Sequence, residues 1–263
     1  MGWREHPERL KKNYKFLTDQ LMRLSEAAGH FIYSSESLYQ CSEIQIIAID
    51  KFLSRFFEEI IYVVYIRNPV DFLVSMYAYK ILYRHNNYYE YGTQEYSEFL
   101  KKCASDLIPY GAESSYQNLF NWSHVLGGKL KVRLLESDWL VKGDLIEDFA
   151  SLAGVASFDK PSRMNDSIAA KYIEYVRFLN REFRYNFPGK IRGKILAVLR
   201  NASSRKPKLS ASVAQANSIR KLHREQDEKI RKIFFPYRPY LFAPKIRGRA
   251  QARSARRKSS PAC

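Results

Sequence analysis

The chain of 263 residues is predicted to be an α/β protein: a parallel sheet with helices on both faces, three layers in all, followed by a helical C-terminal half. Three observations lead to that expectation. Ile60 to Ile66 is a continuous apolar run rich in β-branched and aromatic residues, the pattern of a strand covered on both faces. Lys131 to Glu136 repeats the pattern beyond a long stretch of helical periodicity, and strands joined by long helical crossovers run parallel. After Gly143 the apolar spacing is that of helices alone, as in Ile168 to Phe183 and Ile219 to Phe234.

Taken in order, Pro7 to Ala28 reads as a polar helix ended by Gly29, and Phe31 to Ser34 as a short strand. Ser42-Glu43-Ile44-Gln45 is a capping box that opens a helix running to Phe57. The Ile60 strand ends at Arg67. Asn68-Pro69 then supplies a cap and a first-turn proline for a helix from Val70 to about His85. Helices are expected over Thr93 to Ala104 and Ser115 to Leu126. Gly127-Gly128-Lys129 then reads as a helix-ending turn before the Lys131 strand, and another helix covers Leu145 to Gly154. On this reading Ser34-Ser35-Glu36, Arg67 and Glu136-Ser137 stand at the carboxyl ends of three parallel strands, where open α/β sheets gather their chemistry.

Composition narrows the function classes. Hydrophobic residues make up 46% of the chain, enough for a substantial core, and the longest apolar run is too short to span a bilayer. The charged start lacks the apolar segment of a secretory signal, so a soluble, cytoplasmic protein without a transmembrane segment is expected. Cys41, Cys103 and Cys263 are widely spaced and odd in number, and the five histidines are scattered. Neither a disulfide framework nor a metal site is indicated.

The net charge of +17 is unevenly placed. Residues 1–187 carry 23 Lys/Arg against 24 Asp/Glu, whereas residues 188–263 carry 21 against three. From Lys245 onward seven Lys/Arg stand among Gly, Ala, Ser and Pro with no acidic residue, a composition that builds no core. The expected organisation is a single domain over 1–242, with an α/β part to about 155 and a helical part beyond it. A basic disordered tail over 243–263 would contact polyanions.

The sharpest local signal is Arg67-Asn68-Pro69-Val70-Asp71, with Ser75 and Tyr77 following. An arginine at a strand's carboxyl end, beside a helix amino terminus with unpaired N–H groups and a serine two turns along, is a phosphate-binding arrangement. This R-N-P-x-D-x-x-x-S-x-Y pattern resembles the element that holds the 3′-phosphate of 3′-phosphoadenosine-5′-phosphosulfate in sulfotransferases of the bacterial type. Phe31-Ile32-Tyr33-Ser34-Ser35-Glu36-Ser37-Leu38 looks like the preceding strand of that family. Val132-Arg133-Leu134-Leu135-Glu136-Ser137, the Leu145 to Gly154 helix, Arg163-Met164-Asn165-Asp166-Ser167 and Phe234-Phe235-Pro236-Tyr237-Arg238-Pro239 follow in the family's order. The likeness covers about residues 10 to 242.

That resemblance implies the P-loop, nucleoside-kinase-like sulfotransferase fold, with Arg67 and Ser75 binding the anionic nucleotide donor. It also implies sulfuryl transfer to a hydroxyl or amine, on a saccharide or lipid. The acceptor itself is unknown. Glu36 reads either as the general base that deprotonates the acceptor or as a charge ending a strand beside a helix. The family's glycine-rich loop, which grips the 5′-phosphosulfate with a lysine, has no counterpart in the 263 residues. The sheet is accordingly expected to be incomplete at its N-terminal side. A truncated, non-catalytic relative, or a basic polyanion-binding protein, is the alternative function. The eight aromatics from Tyr77 to Phe99 read as core or as a stacking surface for an acceptor.

Overall fold

The computed structural model describes residues 7–27, 29–83, 94–105, 112–155, 158–159, 168–183, 189–203 and 206–243. By contacts the chain divides into two compact units, Met1–Leu222 and His223–Cys263.

The first unit opens with α1 (Pro7–Glu26), which has proline at its first helical position. An irregular stretch follows, then a single 3-10 turn, Glu36–Gln40. α2 (Glu43–Leu53) begins as its capping sequence predicts: the Ser42 backbone N–H donates to Gln45 Oε1 at 2.8 Å. It stops four residues earlier than expected. The carbonyls of Asp50, Phe52 and Leu53 accept from the next residues in a closing turn.

β1 (Tyr62–Ile66) and β2 (Leu130–Leu134) pair in parallel, with Tyr62 opposite Leu130 and Ile66 opposite Leu134. Between them run α3 (Pro69–Tyr83), α4 (Tyr96–Ser105) and α5 (Ala112–Leu126). The parallel pair joined by a helical crossover is therefore present. After β2 come α6 (Leu145–Leu152), α7 (Ala170–Glu182), α8 (Gly189–Asn201) and α9 (Val213–Phe234), the last spanning the boundary of the two units. The helical reading of the C-terminal half matches this order.

The predicted sheet is larger than the observed one. Among the described residues the sheet has two strands, and Phe31 to Ser34 is irregular, with Ile32 56% and Tyr33 79% exposed. Among the described residues this segment pairs with neither strand of the sheet, and a three-residue apolar run carries too little pairing energy to make a strand by itself. The expectation that β1 is covered on both faces also fails: four of its five residues are only half-buried.

Packing is concentrated in the helices. Val70, Leu73, Tyr77 and Ile81 of α3 meet Phe99 and Leu100 of α4, Ile173 and Val176 of α7, Leu196 of α8 and Ile219 of α9 in one apolar cluster. The α3 members recur at helical spacing on one face, so burial at about 25 cal/mol per Å² holds the helix whatever the sheet contributes. Tyr77 and Phe99 are fully buried with ring centroids 5.3 Å apart, so these two aromatics serve the core. His85, Tyr88, Tyr89 and Tyr91 lie outside the described residues. Ile46 of α2, Leu119, Trp122 and Leu126 of α5, and Leu130 of β2 are buried as well, on elements that pack against one another.

The second unit is described through residue 243. Its helical part ends in a turn in which Arg231 binds Glu228 through two nitrogens, at 2.7 and 2.8 Å, and donates to the Arg238 carbonyl at 2.6 Å. The basic tail lies outside the described residues. Among those described, no helix is long and apolar enough to cross a membrane.

Candidate functional site

The link between β1 and α3 is two residues long, Arg67 and Asn68. In the parallel register Ile66 lies opposite Leu134, and the Leu135 N–H donates to the Ile66 carbonyl at 2.8 Å, extending the ladder by one bond. Arg67-Asn68 and Leu135-Glu136 therefore leave the sheet side by side, at the roughly 4.8 Å spacing of paired strands. Two of the three strand ends expected to converge share this carboxyl edge. The third does not, because Ser34-Ser35-Glu36 follows no strand. Ser35 is extended and Glu36 opens the 3-10 turn. The Glu36 side chain lies outside the described residues, so its proposed role as a base has no geometry to support it.

Asn68 sets the start of α3. Its Oδ1 accepts from the Val70 N–H at 3.0 Å, and the side chain is buried. Pro69 follows at the first helical position, where its ring angle suits a helix and no donor is lost. The Asn68 Nδ2 is buried and makes no hydrogen bond among the described residues. An unmet buried N–H costs about 1–3 kcal/mol, so the junction carries donor capacity that the protein itself does not use.

Arg67 is exposed, and among the described residues it makes no hydrogen bond or ion pair. Ser75 is exposed too, on the α3 face that also carries Tyr79 one turn along. It lies six residues beyond Pro69, about 9 Å along the helix axis. The chain thus brings Arg67 and Ser75 to one strand–helix unit on its solvent side, without a contact between them. Glu136 is half-buried. Its carbonyl accepts from the N–H groups of Trp139, at 2.9 Å, and Leu140, at 3.2 Å, which turns the chain away from the edge.

One constellation was not foreseen. On one face of the sheet, Tyr65 and Arg133 stand opposite each other and both bind Asp148 of α6, whose side chain is fully buried. Tyr65 Oη donates to Asp148 Oδ2 at 2.7 Å and Arg133 Nε donates to the same oxygen at 3.0 Å. Arg133 Nη2 donates to Oδ1, and the Val141 N–H adds a bond to Oδ1 at 3.0 Å. Burial works to raise the Asp148 pKa. The hydrogen bonds from Arg133, Tyr65 and Val141 outweigh it, and the carboxyl titrates below its ordinary value. Burial, reinforced by the carboxylate, pushes the Tyr65 phenol upward. The signal in the sequence was Arg133 itself, a charge inside an apolar strand, which requires a partner. Which acid would meet it was not legible.

Gly127-Gly128-Lys129 is the turn expected of it. Gly127 has φ of +52° directly after α5, the left-handed cap conformation. Lys129 donates to both oxygens of Asp50 at 2.9 Å, and Tyr62 binds the same carboxylate at 3.1 Å. Its charge is committed to the fold. Residues 163–167 fall outside the described set, and no group of three or more His, Cys, Asp or Glu among the described residues is placed to hold a metal ion. No protein-family model, curated protein or solved structure matches the chain.

Proposed function

We propose that the β1–α3 junction binds the 3′-phosphate of an adenosine nucleotide, and that the chain is a sulfotransferase-type protein using 3′-phosphoadenosine-5′-phosphosulfate as donor. The observation that carries the reading is the state of Arg67. It is a solvent-facing guanidinium at the carboxyl edge of a parallel strand pair, with no anion of the protein's own among the described residues, directly before a helix amino terminus. Asn68 and Pro69 orient that terminus, and the Ser75 hydroxyl is on the solvent side of the same helix.

In the reaction this implies, the acceptor oxygen or nitrogen bonds to sulfur as the sulfur–oxygen bond to the 5′-phosphate breaks. The acceptor's proton passes to a base, for which Glu36 is the proposed group, and adenosine 3′,5′-bisphosphate leaves. Arg67 and Ser75 act on the donor's far end. They bind and orient it, and they supply no charge at the leaving phosphate. Among the 263 residues there is no glycine-rich loop with a lysine to stabilise that charge. A second reading is a non-catalytic relative that retains nucleotide binding at the same junction.

Calorimetry separates binding from its absence. Adenosine 3′,5′-bisphosphate should bind more tightly than adenosine 5′-monophosphate, and Arg67→Ala should remove the difference. Equal affinity for the two nucleotides in the unaltered protein overturns the reading. Transfer of labelled sulfate to glycan, lipid or phenolic acceptors then distinguishes the enzyme from the non-catalytic relative.

A further inference from the structure

A second cationic feature lies at the start of α7 and owes nothing to the β1–α3 junction. Lys206 Nζ donates to Tyr172 Oη at 3.0 Å and lies 5.3 Å from the centroid of that ring, while Lys171 Nζ stands 4.9 Å from the same centroid. Two ammonium groups thus gather on one phenol. Neither lysine makes an ion pair among the described residues, and the first turn of α7 contains no acidic side chain. Glu174, the nearest acid in the helix, is taken up by Arg177, at 2.7 Å, and by Tyr77, at 3.2 Å.

Like charges brought together without a counter-ion repel, so the arrangement costs energy unless something else repays it. The backbone around it is well tied. Ala169 bridges Lys208 in antiparallel fashion, the Ala170 N–H donates to the Pro207 carbonyl at 3.0 Å, and the Ala169 N–H donates to Ser203 Oγ at 2.9 Å. Lys208 is held by the Ser203 carbonyl at 3.4 Å, which leaves Lys171 and Lys206 as the cations directed at the phenol. Because Tyr172 Oη accepts from Lys206, its own O–H remains to donate. Beyond that one bond, the two ammonium groups and the phenolic O–H retain several donors, a match for an anion with several oxygens.

We infer that Lys171, Tyr172 and Lys206 form a binding site for a tetrahedral oxyanion, the phosphate or sulfate group of an ester ligand. The two lysines supply charge, and the Tyr172 ring holds their stems in place while its hydroxyl donates a third bond. The same charges draw the Tyr172 pKa down, with the Lys206 hydrogen bond as the main cause, so the phenol is a strengthened donor.

The test is titration of the full isotope-labelled chain with inorganic phosphate, followed through the backbone amide signals of Ala170, Lys171, Tyr172 and Lys206. Saturable shifts at these positions are expected. Replacing both lysines (Lys171→Gln with Lys206→Gln) should weaken binding by about tenfold or more, as loss of charge-assisted contacts does. Tyr172→Phe, which keeps the ring, should weaken it by a smaller factor. Arg67→Ala should leave it unchanged, which separates this site from the proposed nucleotide junction. Parallel titrations with inorganic sulfate, a sulfated disaccharide and adenosine 3′,5′-bisphosphate identify the source of the group, since the natural ester should bind more tightly than the free ion. Linear, non-saturating shifts, or equal affinity in the double lysine variant with its other amide signals unmoved, would overturn the inference.

Discussion

Two arginines stand at the same small sheet, and their surroundings are opposite. Arg133, inside β2, spends its guanidinium on a fully buried carboxylate that also binds Tyr65 and a backbone amide. Arg67, one residue past β1, is exposed and makes no bond to any described residue. The first joins the sheet to α6 and is part of the fold. The second is surplus to the fold, and a charge that stability does not need is available for a ligand. Position along the strand decides between them: within the ladder a side chain is pressed against whatever covers that face, whereas beyond the last ladder bond it is free to meet solvent.

Breaking the buried side of this comparison should have the largest effect. Arg133→Met leaves the Asp148 carboxylate buried without its main partner, and unfolding by denaturant should show a loss of about 3–5 kcal/mol. The pH dependence follows from the same pair. The folded Asp148 pKa lies below its unfolded value, so the unfolded chain binds more protons. Its stabilisation is present above the unfolded pKa, near 4, and is lost as pH falls through the folded value. Stability measured below about pH 4 should therefore decline less steeply in Asp148→Asn than in the unaltered protein.

The exposed side should behave in reverse. Arg67→Ala is expected to weaken adenosine 3′,5′-bisphosphate binding by about 1.5–3 kcal/mol while moving stability by no more than about 0.5 kcal/mol. A large stability loss there would show that Arg67 belongs to the fold after all. Tyr65→Phe removes one of the donors to Asp148 and keeps the ring, so thermal unfolding should reveal a cost of about 1 kcal/mol. Ser75→Ala is the smallest change. Nucleotide binding should fall by about 0.5 kcal/mol with the helix unaffected, since alanine is the better helix former.

The local elements were largely legible in the residues. Asn68-Pro69 announces the start of α3 because a cap acceptor and a pre-set ring angle act within one turn, and Ser42 with Gln45 does the same for α2. Gly127 marks the end of α5 because the left-handed cap conformation favours a residue without a Cβ. Phe31 to Ser34 reads as a strand, although it is irregular in the fold, because periodicity registers an apolar run but says nothing about whether that run pairs with another strand.

What the residues determined unaided was therefore whatever depends on near neighbours: helix starts and stops, the β1–α3 junction, and the charge imbalance between the two parts of the chain. Only the tertiary structure decided the rest. It reduced the sheet to two strands among the described residues, chose Asp148 as the partner of Arg133 across fifteen positions, and brought Lys206 to Tyr172 across thirty-four. Such pairings join residues well apart along the chain, and the packing of the elements that carry them selects the partner, so no local pattern encodes them.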